Sequence, residues 1–184
     1  MWQIRQEREA DGDAIAAIVT SGFGPGRFAK TAYRLREGVA CVPDLSFVAE
    51  STEKREFLGS VRFWPIFVGG QPSLLLGPLA VKPDLRGKGI GIALMQRGLK
   101  AARAQGYRSV ILVGDEPYYA RVGFQRLQPG RLRFPGPVDP SRVLGLALKN
   151  GALDSLIGDI ERARIDQPVS AQAAPLAKFS SAYK

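Results

Sequence analysis

The amino-acid sequence predicts one mixed α+β domain whose sheet is mostly antiparallel but contains one parallel pair of strands. Three strand patterns follow one another between residues 45 and 81 with short turns between them, which predicts an antiparallel meander. A strand, an amphipathic helix and a buried strand then follow in order over 74–113, which implies a right-handed crossover between parallel strands. The 184 residues, 45% hydrophobic and 23% charged, suffice for one domain with a real core.

The N-terminal part of the chain predicts one strand and two helices. Residues 2–5 alternate as a first strand does, and Asp11 offers an N-cap before apolar residues at helical spacing. Glycines within 22–26 end that helix, and a short basic helix is expected over 28–36. The region 21–40 is therefore a candidate for a substrate-facing flap, with a solvated helix as the alternative.

The meander consists of strands predicted over 45–50, 57–68 and 74–81. Gly69-Gly70 predicts a tight hairpin turn between the second and the third. The third strand is apolar almost throughout, as a strand buried on both faces should be. It contains Gly77-Pro78, which a regular central strand cannot hold, so we expect a bulge there.

A glycine-rich loop at 86–91 (RGKGIG) leads from this strand into a helix that ends near Gly106. Glycines at a helix N-terminus let unpaired N–H groups approach an anion, so the loop predicts a phosphate-bearing ligand. A P-loop is excluded because GxxxxGK[ST] is absent, and a dinucleotide fingerprint because Ile92 or Leu94 occupies its sixth position. A purely structural glycine turn stays open at this point.

The C-terminal half predicts two further main strands. A buried strand is expected over 109–113, and a short helix begins within 114–117, where Pro117 suits the first turn. Gly123-Phe124 opens the next strand, and a proline-rich connection over 130–140 precedes a last main strand over 142–148.

The end of the chain has a weaker pattern. Over 154–164 the apolar spacing fits a helix, while Gly158 favours a break and a small strand, so both stay open. From Asp166 onward the composition of Ala, Pro, Ser and Gln predicts a mobile tail. We therefore expect a domain over 1–165 and a tail over 166–184.

Composition excludes several kinds of active site. The chain has no histidine and one cysteine, Cys41, which excludes histidine triads, Cys–His pairs, common zinc sites and intrachain disulfides. Proton transfer must come from Tyr, Asp, Glu, Lys, water or the backbone. Cys41 is expected to be an inert thiol.

The net charge of +9 comes from basic residues scattered along the chain, which suits polyphosphate ligands better than a dedicated nucleic-acid partner. Apolar runs are too short to span a membrane, and the N-terminus is too charged for a signal peptide. We expect a cytoplasmic protein without a membrane partner.

Two motifs carry a family resemblance. Residues 79–81 (LAV) followed by the 86–91 loop resemble the acetyl-CoA signature [QR]xxGx[GA] of the GNAT N-acetyltransferase superfamily, and 118–124 (YYARVGF) looks like its YxxxGF segment. The phrases at 76–81, 112–115 and 134–137 are similar to a bacterial subgroup of predicted acetyltransferases. The resemblance covers residues 1–150 and implies the GNAT fold, a mostly antiparallel sheet of about seven strands with a splayed parallel pair and about four helices.

The resemblance also implies the ligand and where it binds. Acetyl-CoA would be the co-substrate, with its pantetheine arm against backbone groups of Leu79, Ala80 and Val81. Its pyrophosphate would contact the amides of Arg86, Gly87, Lys88, Gly89, Ile90 and Gly91, with Arg86 and Lys88 adding positive charge. Lys88 as a solvated loop residue is the alternative. The acyl acceptor would be a primary amine that the sequence does not identify, and no metal is expected.

Acyl transfer needs a neutral amine, a stabilised oxyanion and a protonated leaving thiolate. By the resemblance, Tyr119 occupies the position of the general acid, a packed aromatic being the alternative, while Tyr118 is expected in the core. An amide near Val81 would stabilise the oxyanion. No carboxylate lies on the 74–81 strand, so Glu50, Asp115 and Glu116 are the candidate bases, each with a surface or capping role as the alternative.

Two other functions stay open. A non-catalytic CoA or acyl-CoA sensor is favoured by the missing carboxylate on the central strand, and a nucleic-acid-binding protein rests only on the net charge. The donor could also be a longer acyl-CoA or an acyl carrier protein. Whether the chain forms a homodimer is likewise open.

Overall fold

The computed structural model describes residues 1–24 and 31–163, in which nine strands form one sheet. The strands are β1 (Trp2–Gln6), β2 (Phe47–Ser51), β3 (Phe57–Val68), β4 (Gln71–Val81), β5 (Ser109–Val113), β6 (Gln125–Arg126), β7 (Leu132–Arg133), β8 (Val143–Ala147) and β9 (Gly158–Arg162). The main path runs β1-β2-β3-β4-β5-β8-β6, and β7 and β9 lie beside it. Because only the β4–β5 pair on this path is parallel, the predicted fold class is confirmed.

The described parts contain four α-helices, two of them short. The helices are α1 (Gly12–Phe23), α2 (Thr31–Arg34), α3 (Ile90–Ala104) and α4 (Glu116–Tyr119). Asp11 precedes α1 as predicted, but its carboxylate accepts hydrogen bonds from Arg5 and from the Arg8 amide instead of capping the helix. No described helix is long and apolar enough to cross a membrane.

The bulge predicted in β4 is present. Val61 of β3 pairs with Leu79, and Phe63 pairs with Leu76, so Gly77 and Pro78 together face one residue of β3. Gly77 has a φ of 130°, which residues other than glycine rarely adopt. The glycine at position 77 therefore permits the backbone conformation that the bulge requires.

The parallel pair separates at the level of this bulge. Leu74 pairs with Val110 and Leu75 with Ile111, and the described residues that follow in the two strands no longer pair. On its other edge β5 pairs with β8 along its whole length. The sheet is thus intact on both sides and opens only between β4 and β5.

Both faces of the central strands are covered, which explains why β4 is apolar throughout. Leu74 and Leu76 pack with the buried face of α3, while Leu75 packs on the opposite face with Ile111 and Ile160. On the α3 side, a Cβ added to Gly98 would come within 2.4 Å of the Phe63 ring, so α3 lies directly on β3.

The structure corrects three boundaries. The helix predicted over 28–36 spans Thr31–Arg34, and its predicted start lies outside the described residues. The strand predicted from 45 begins at Phe47, because Pro43–Leu45 forms a 3₁₀ turn. The ambiguous stretch 154–164 contains the strand β9 (Gly158–Arg162), which pairs with β3 and β7. The predicted tail over 166–184 lies outside the described residues.

Candidate functional site

Two cavities open where β4 and β5 separate. The loop cavity, of about 420 Å³, lies between the end of β4 and the glycine-rich loop before α3. The bulge cavity, of about 720 Å³, lies beside Gly77-Pro78 under α1 and α2. Phe23 and Tyr119 line both cavities and so form the junction between them.

The loop cavity brings together most of the residues that the sequence singled out. Of these, Leu79, Ala80, Val81, Arg86, Gly87, Gly89, Ile90, Gly91 and Tyr119 line it. Lys88 does not line it, although it belongs to the same loop. The end of α1 closes this cavity through Ile18, Ser21 and Gly22.

The backbone at the end of β4 presents polar groups to the opening. The Lys82 amide donates to Leu58 O on the β3 side, at 2.9 Å. Because successive residues of a strand alternate the edge to which their N–H and C=O groups point, Val81 and Leu79 point away from β3. Ala80 is paired with Ser60 of β3 and points towards it. Backbone groups of Leu79 and Val81 therefore face the gap left by β5.

The glycine-rich loop presents a second set of backbone donors. Gly87 and Gly89 have φ angles of 80° and 82°, and Gly89 is the N-cap residue of α3, with no side chain capping the helix. The Arg86 and Lys88 amides donate within the turn to Pro83 and Leu85. The first N–H groups of α3, from Ile90 on, lack acceptors within the helix, so the donors converge on its positive end.

Tyr119 is held at the junction by its neighbours. A Cβ added to Gly114 would come within 2.3 Å of Tyr119 Cε2, so only glycine fits beneath the ring. The Tyr119 ring makes edge contacts with Tyr118 and Phe124 at centroid distances of 5.2 and 6.1 Å.

The pKa of Tyr119 is raised to about 12, mainly by burial and also by Tyr118 and Asp115, while Arg142 and Arg36 act in the opposite direction. The phenol is therefore protonated at neutral pH and able to donate its proton.

The structure corrects the expectation for Tyr118. Its side chain is half-buried and packs against the core, but it also lines the loop cavity, and its hydroxyl lies 2.2 Å from a Cβ built on Gly91. Since α4 spans only Glu116–Tyr119 before a 3₁₀ turn, adjacent rings need not face opposite sides as they would on a long helix.

The three candidate bases have different surroundings. Glu50 is bound by Gln3 and Arg5 on the β1 side, which lowers its pKa, and it lines neither cavity. Glu116 accepts a hydrogen bond from Arg126 and also lines neither. Asp115 lines the loop cavity and lies 3.2 Å from Arg142.

Cys41 lines neither cavity, and burial raises the pKa of its thiol. The raised pKa keeps the thiol protonated, which agrees with an inert cysteine.

The bulge cavity contains residues that the sequence did not single out as a site. Trp64 Nε1 donates to Gly77 O, and the Arg36 guanidinium carbon lies 6.0 Å from the Trp64 ring centroid. Thr31 Oγ1 donates to Pro137 O and thereby ties α2 to the proline-rich connection. The expected flap region thus contributes Tyr33 and its neighbours to this cavity. No local motif marks these residues, since they come from distant segments.

Comparisons with known proteins identify similar acetyltransferases. A family model described as an acetyltransferase (GNAT) domain matches residues 43–126. The uncharacterized N-acetyltransferase YhbS of Escherichia coli K12 is 33% identical over 162 residues, which cover 86% of this chain and 94% of the relative.

Solved structures are similar as well. The crystal structure of Escherichia coli YhbS in complex with CoA has a TM-score of 0.73 and 30% identity, covering 88% of this chain and 89% of that one. A GNAT acetyltransferase from Brucella melitensis in complex with acetyl-CoA has a TM-score of 0.58 and 29% identity, covering 84% and 99%.

Proposed function

The chain belongs to the GNAT N-acetyltransferase family, and from that premise we propose that it transfers an acetyl group from acetyl-CoA directly to a primary amine. The observation that carries the proposal is the opening between β4 and β5, which has exposed backbone donors on one side and Tyr119 at its inner end. The similar structures from Escherichia coli and Brucella melitensis were solved with CoA and acetyl-CoA.

The loop cavity is the proposed donor site. The amides of Gly87, Gly89 and the first turn of α3 find no backbone acceptor among the described residues and so suit a pyrophosphate, and Arg86 adds positive charge from the cavity wall. Backbone groups of Leu79 and Val81 suit the amides of a pantetheine arm lying in place of a strand. Ala80 would contribute through contact alone, and Lys88 through its charge from outside the cavity.

The bulge cavity is the proposed acceptor site. An amine entering it would meet the acetyl group at the junction, where a C–N bond forms and the C–S bond breaks. The Val81 amide would stabilise the negative charge that develops on the carbonyl oxygen. Tyr119 would give its proton to the departing sulfur, for which its raised pKa keeps it protonated.

The amine attacks in its neutral form, and its nitrogen must lose a proton as the amide bond forms. Among the described residues, the carboxylates that line the two cavities belong to Asp115, Glu37 and Asp139. Asp115 lies near Arg142, and Asp139 accepts hydrogen bonds from Ser141. We assign none of them as the base, because water can accept this proton when the amine enters neutral.

Calorimetry with acetyl-CoA, followed by thiol release in the presence of a panel of primary amines, tests the proposal. We expect binding below millimolar concentration and steady thiol release with at least one amine. Tight binding without thiol release from any amine would favour the CoA-sensor alternative. No binding would contradict both.

Two further proposals concern the whole chain. We propose that residues 1–165 form the acetyltransferase domain, so that a chain ending at residue 165 binds acetyl-CoA as the full chain does. Weaker binding by the shorter chain would give the 166–184 segment a part in the donor site. Light scattering of both chains tests whether the protein is a homodimer.

A further inference from the structure

Arg36 places a cation in the wall of the bulge cavity beside Gly77. Its Nη2 atom lies 2.7 Å from a Cβ built on Gly77, so the guanidinium rests directly on the bulge of β4. Its Nε atom is shielded from solvent and has no hydrogen-bond partner in the described residues. Burial lowers the pKa of Arg36 to about 10, which still leaves the side chain charged at neutral pH.

The other two described arginines that line the cavity have acidic partners. Arg62 donates two hydrogen bonds to Glu7, at 2.9 and 2.6 Å, and Arg142 lies 3.2 Å from Asp115. The ion pairs formed within the described residues do not include Arg36. Among the described arginines of this cavity, Arg36 is therefore the one without an ion pair to a described carboxylate.

Burying a charged side chain without an oppositely charged partner costs much free energy. A protein that keeps such a side chain in a cavity is therefore expected to bind a ligand that supplies the partner. A guanidinium binds carboxylates and phosphates through paired N–H donors. Within residues 1–24 and 31–163, the carboxylates that line the cavity belong to Glu37 and Asp139, and both side chains are exposed. Their negative charge disfavours a doubly charged phosphate more than a singly charged carboxylate.

We infer that the amine acceptor carries a carboxylate and that Arg36 binds it in the bulge cavity. The inference rests on the proposed acetyl transfer and adds the chemical class of the acceptor. A volume of about 720 Å³ accommodates an amino acid or a short peptide. Tyr119 lines the same cavity, so a carboxylate on Arg36 leaves the amine of the same molecule to reach the junction.

The test compares matched acceptors that differ only in this charge. The probes are leucine, phenylalanine and lysine, each with its primary amide and its decarboxylated amine, and the dipeptide Gly-Leu with its amide. Thiol release is compared at equal concentrations of unprotonated amine, because amidation lowers the amine pKa. The dipeptide pair distinguishes a free amino acid from a peptide C-terminus as the source of the carboxylate.

We expect the wild type to prefer an acid over its amide by about tenfold or more in kcat/KM, the effect of one charged hydrogen-bonded pair. Arg36→Gln should bring that ratio close to one, and Arg36→Lys should retain part of it. Arg103→Gln removes an equal charge from an exposed position outside both cavities and should leave the ratio unchanged. Acetyl-CoA affinity, measured by calorimetry, should be the same in all four proteins.

Thiol release without preference for the acid, or a preference that survives in Arg36→Gln, would overturn the inference and leave the proposed function intact. A preference for O-phosphoethanolamine over every carboxylate would overturn it too. If no amine supports thiol release, the proposed function fails. Calorimetry of the acids with the CoA-loaded protein then tests the carboxylate site alone. Binding to the wild type but not to Arg36→Gln would support a carboxylate site at Arg36, and no binding to the wild type would contradict it. Arg36→Lys serves where Arg36→Gln unfolds.

Discussion

The loop cavity and the bulge cavity meet at Tyr119 but are built in different ways. Most of the residues that line the loop cavity come from one stretch of the chain, from Leu79 to Ile92. The bulge cavity is made from side chains that arrive from α1, α2, β3 and the segments around β8. The first can bind a ligand through its phosphates and amides whatever the nearby side chains are, whereas the second depends on which side chains the chain supplies.

The difference fits the separate tasks that we propose for the two cavities. A donor that is common to many relatives needs a site that a short motif encodes, and the backbone of a glycine-rich loop provides one. An acceptor that differs from one relative to the next needs a site whose side chains vary without disturbing the fold. Substitutions in each cavity should therefore change the binding of one substrate and not of the other.

Substitution of Tyr119 tests the junction between the two cavities, and it should have the largest effect on kcat. Tyr119→Phe removes the proton donor while keeping the ring between Gly114 and Phe124, so kcat should fall about a hundredfold with little change in acetyl-CoA affinity. The measurements are thiol release and calorimetry. Tyr118→Phe is the matched control and should reduce kcat much less. An unchanged kcat in Tyr119→Phe would return that residue to a packing role.

Gly89 tests the loop cavity. Its φ of 82° disfavours any residue with a Cβ by about 1–2 kcal/mol, although nothing lies within 4 Å of a Cβ built there. In Gly89→Ala the loop without ligand should move away from the conformation with a positive φ at position 89. Acetyl-CoA must then restore that conformation when it binds. Acetyl-CoA affinity should weaken by about five- to tenfold or more, with the acceptor KM unchanged.

Gly70→Ala is the control for this strain. Gly70 has a φ of 79°, has the same open surroundings and lies in the hairpin between β3 and β4. We expect a similar loss of folding free energy in urea denaturation but no loss of acetyl-CoA affinity. Equal affinity losses in both variants would show that Gly89 acts through general stability.

Trp64 tests the bulge cavity. Trp64→Phe keeps an aromatic ring but removes the N–H that donates to Gly77 O, a loss of about 1 kcal/mol. The acceptor KM should rise by about fivefold at most, while acetyl-CoA affinity stays constant. Trp2→Phe, at an exposed position of β1, is the control and should change neither. A change confined to acetyl-CoA affinity would contradict the division of tasks.

The sequence predicted the loop cavity far better than the bulge cavity, for a physical reason. The break at Gly77-Pro78 and the loop at 86–91 are encoded by adjacent residues, so local chemistry suffices to predict them. Arg36 is one of 26 basic residues and becomes distinctive only when folding places it on Gly77, without an ion pair to any described carboxylate. The strand β9 was ambiguous because its pairing with β3 and β7, far away in sequence, decides its structure.

The titration of Tyr119 is the last test, and it should have the smallest effect on activity. Because burial opposes the phenolate, the folded protein holds this proton up to about pH 12, above the usual range of tyrosine. The contribution of this raised pKa to the free energy of unfolding is complete below the ordinary tyrosine pKa of about 10. It is lost as the pH rises through the pKa of the folded protein. Loss of the Tyr119 proton should therefore not reduce kcat between pH 8 and 10.

Phenolate absorbance after a rapid pH jump, wild type minus Tyr119→Phe, should show one step near pH 12. A step near 10 would mean that water reaches the ring from one of the cavities. The junction would then not separate the two sites, and a variant on one side should also alter binding on the other. A step near 12 together with independent effects of Gly89→Ala and Trp64→Phe would mean that the buried ring keeps two differently built sites apart.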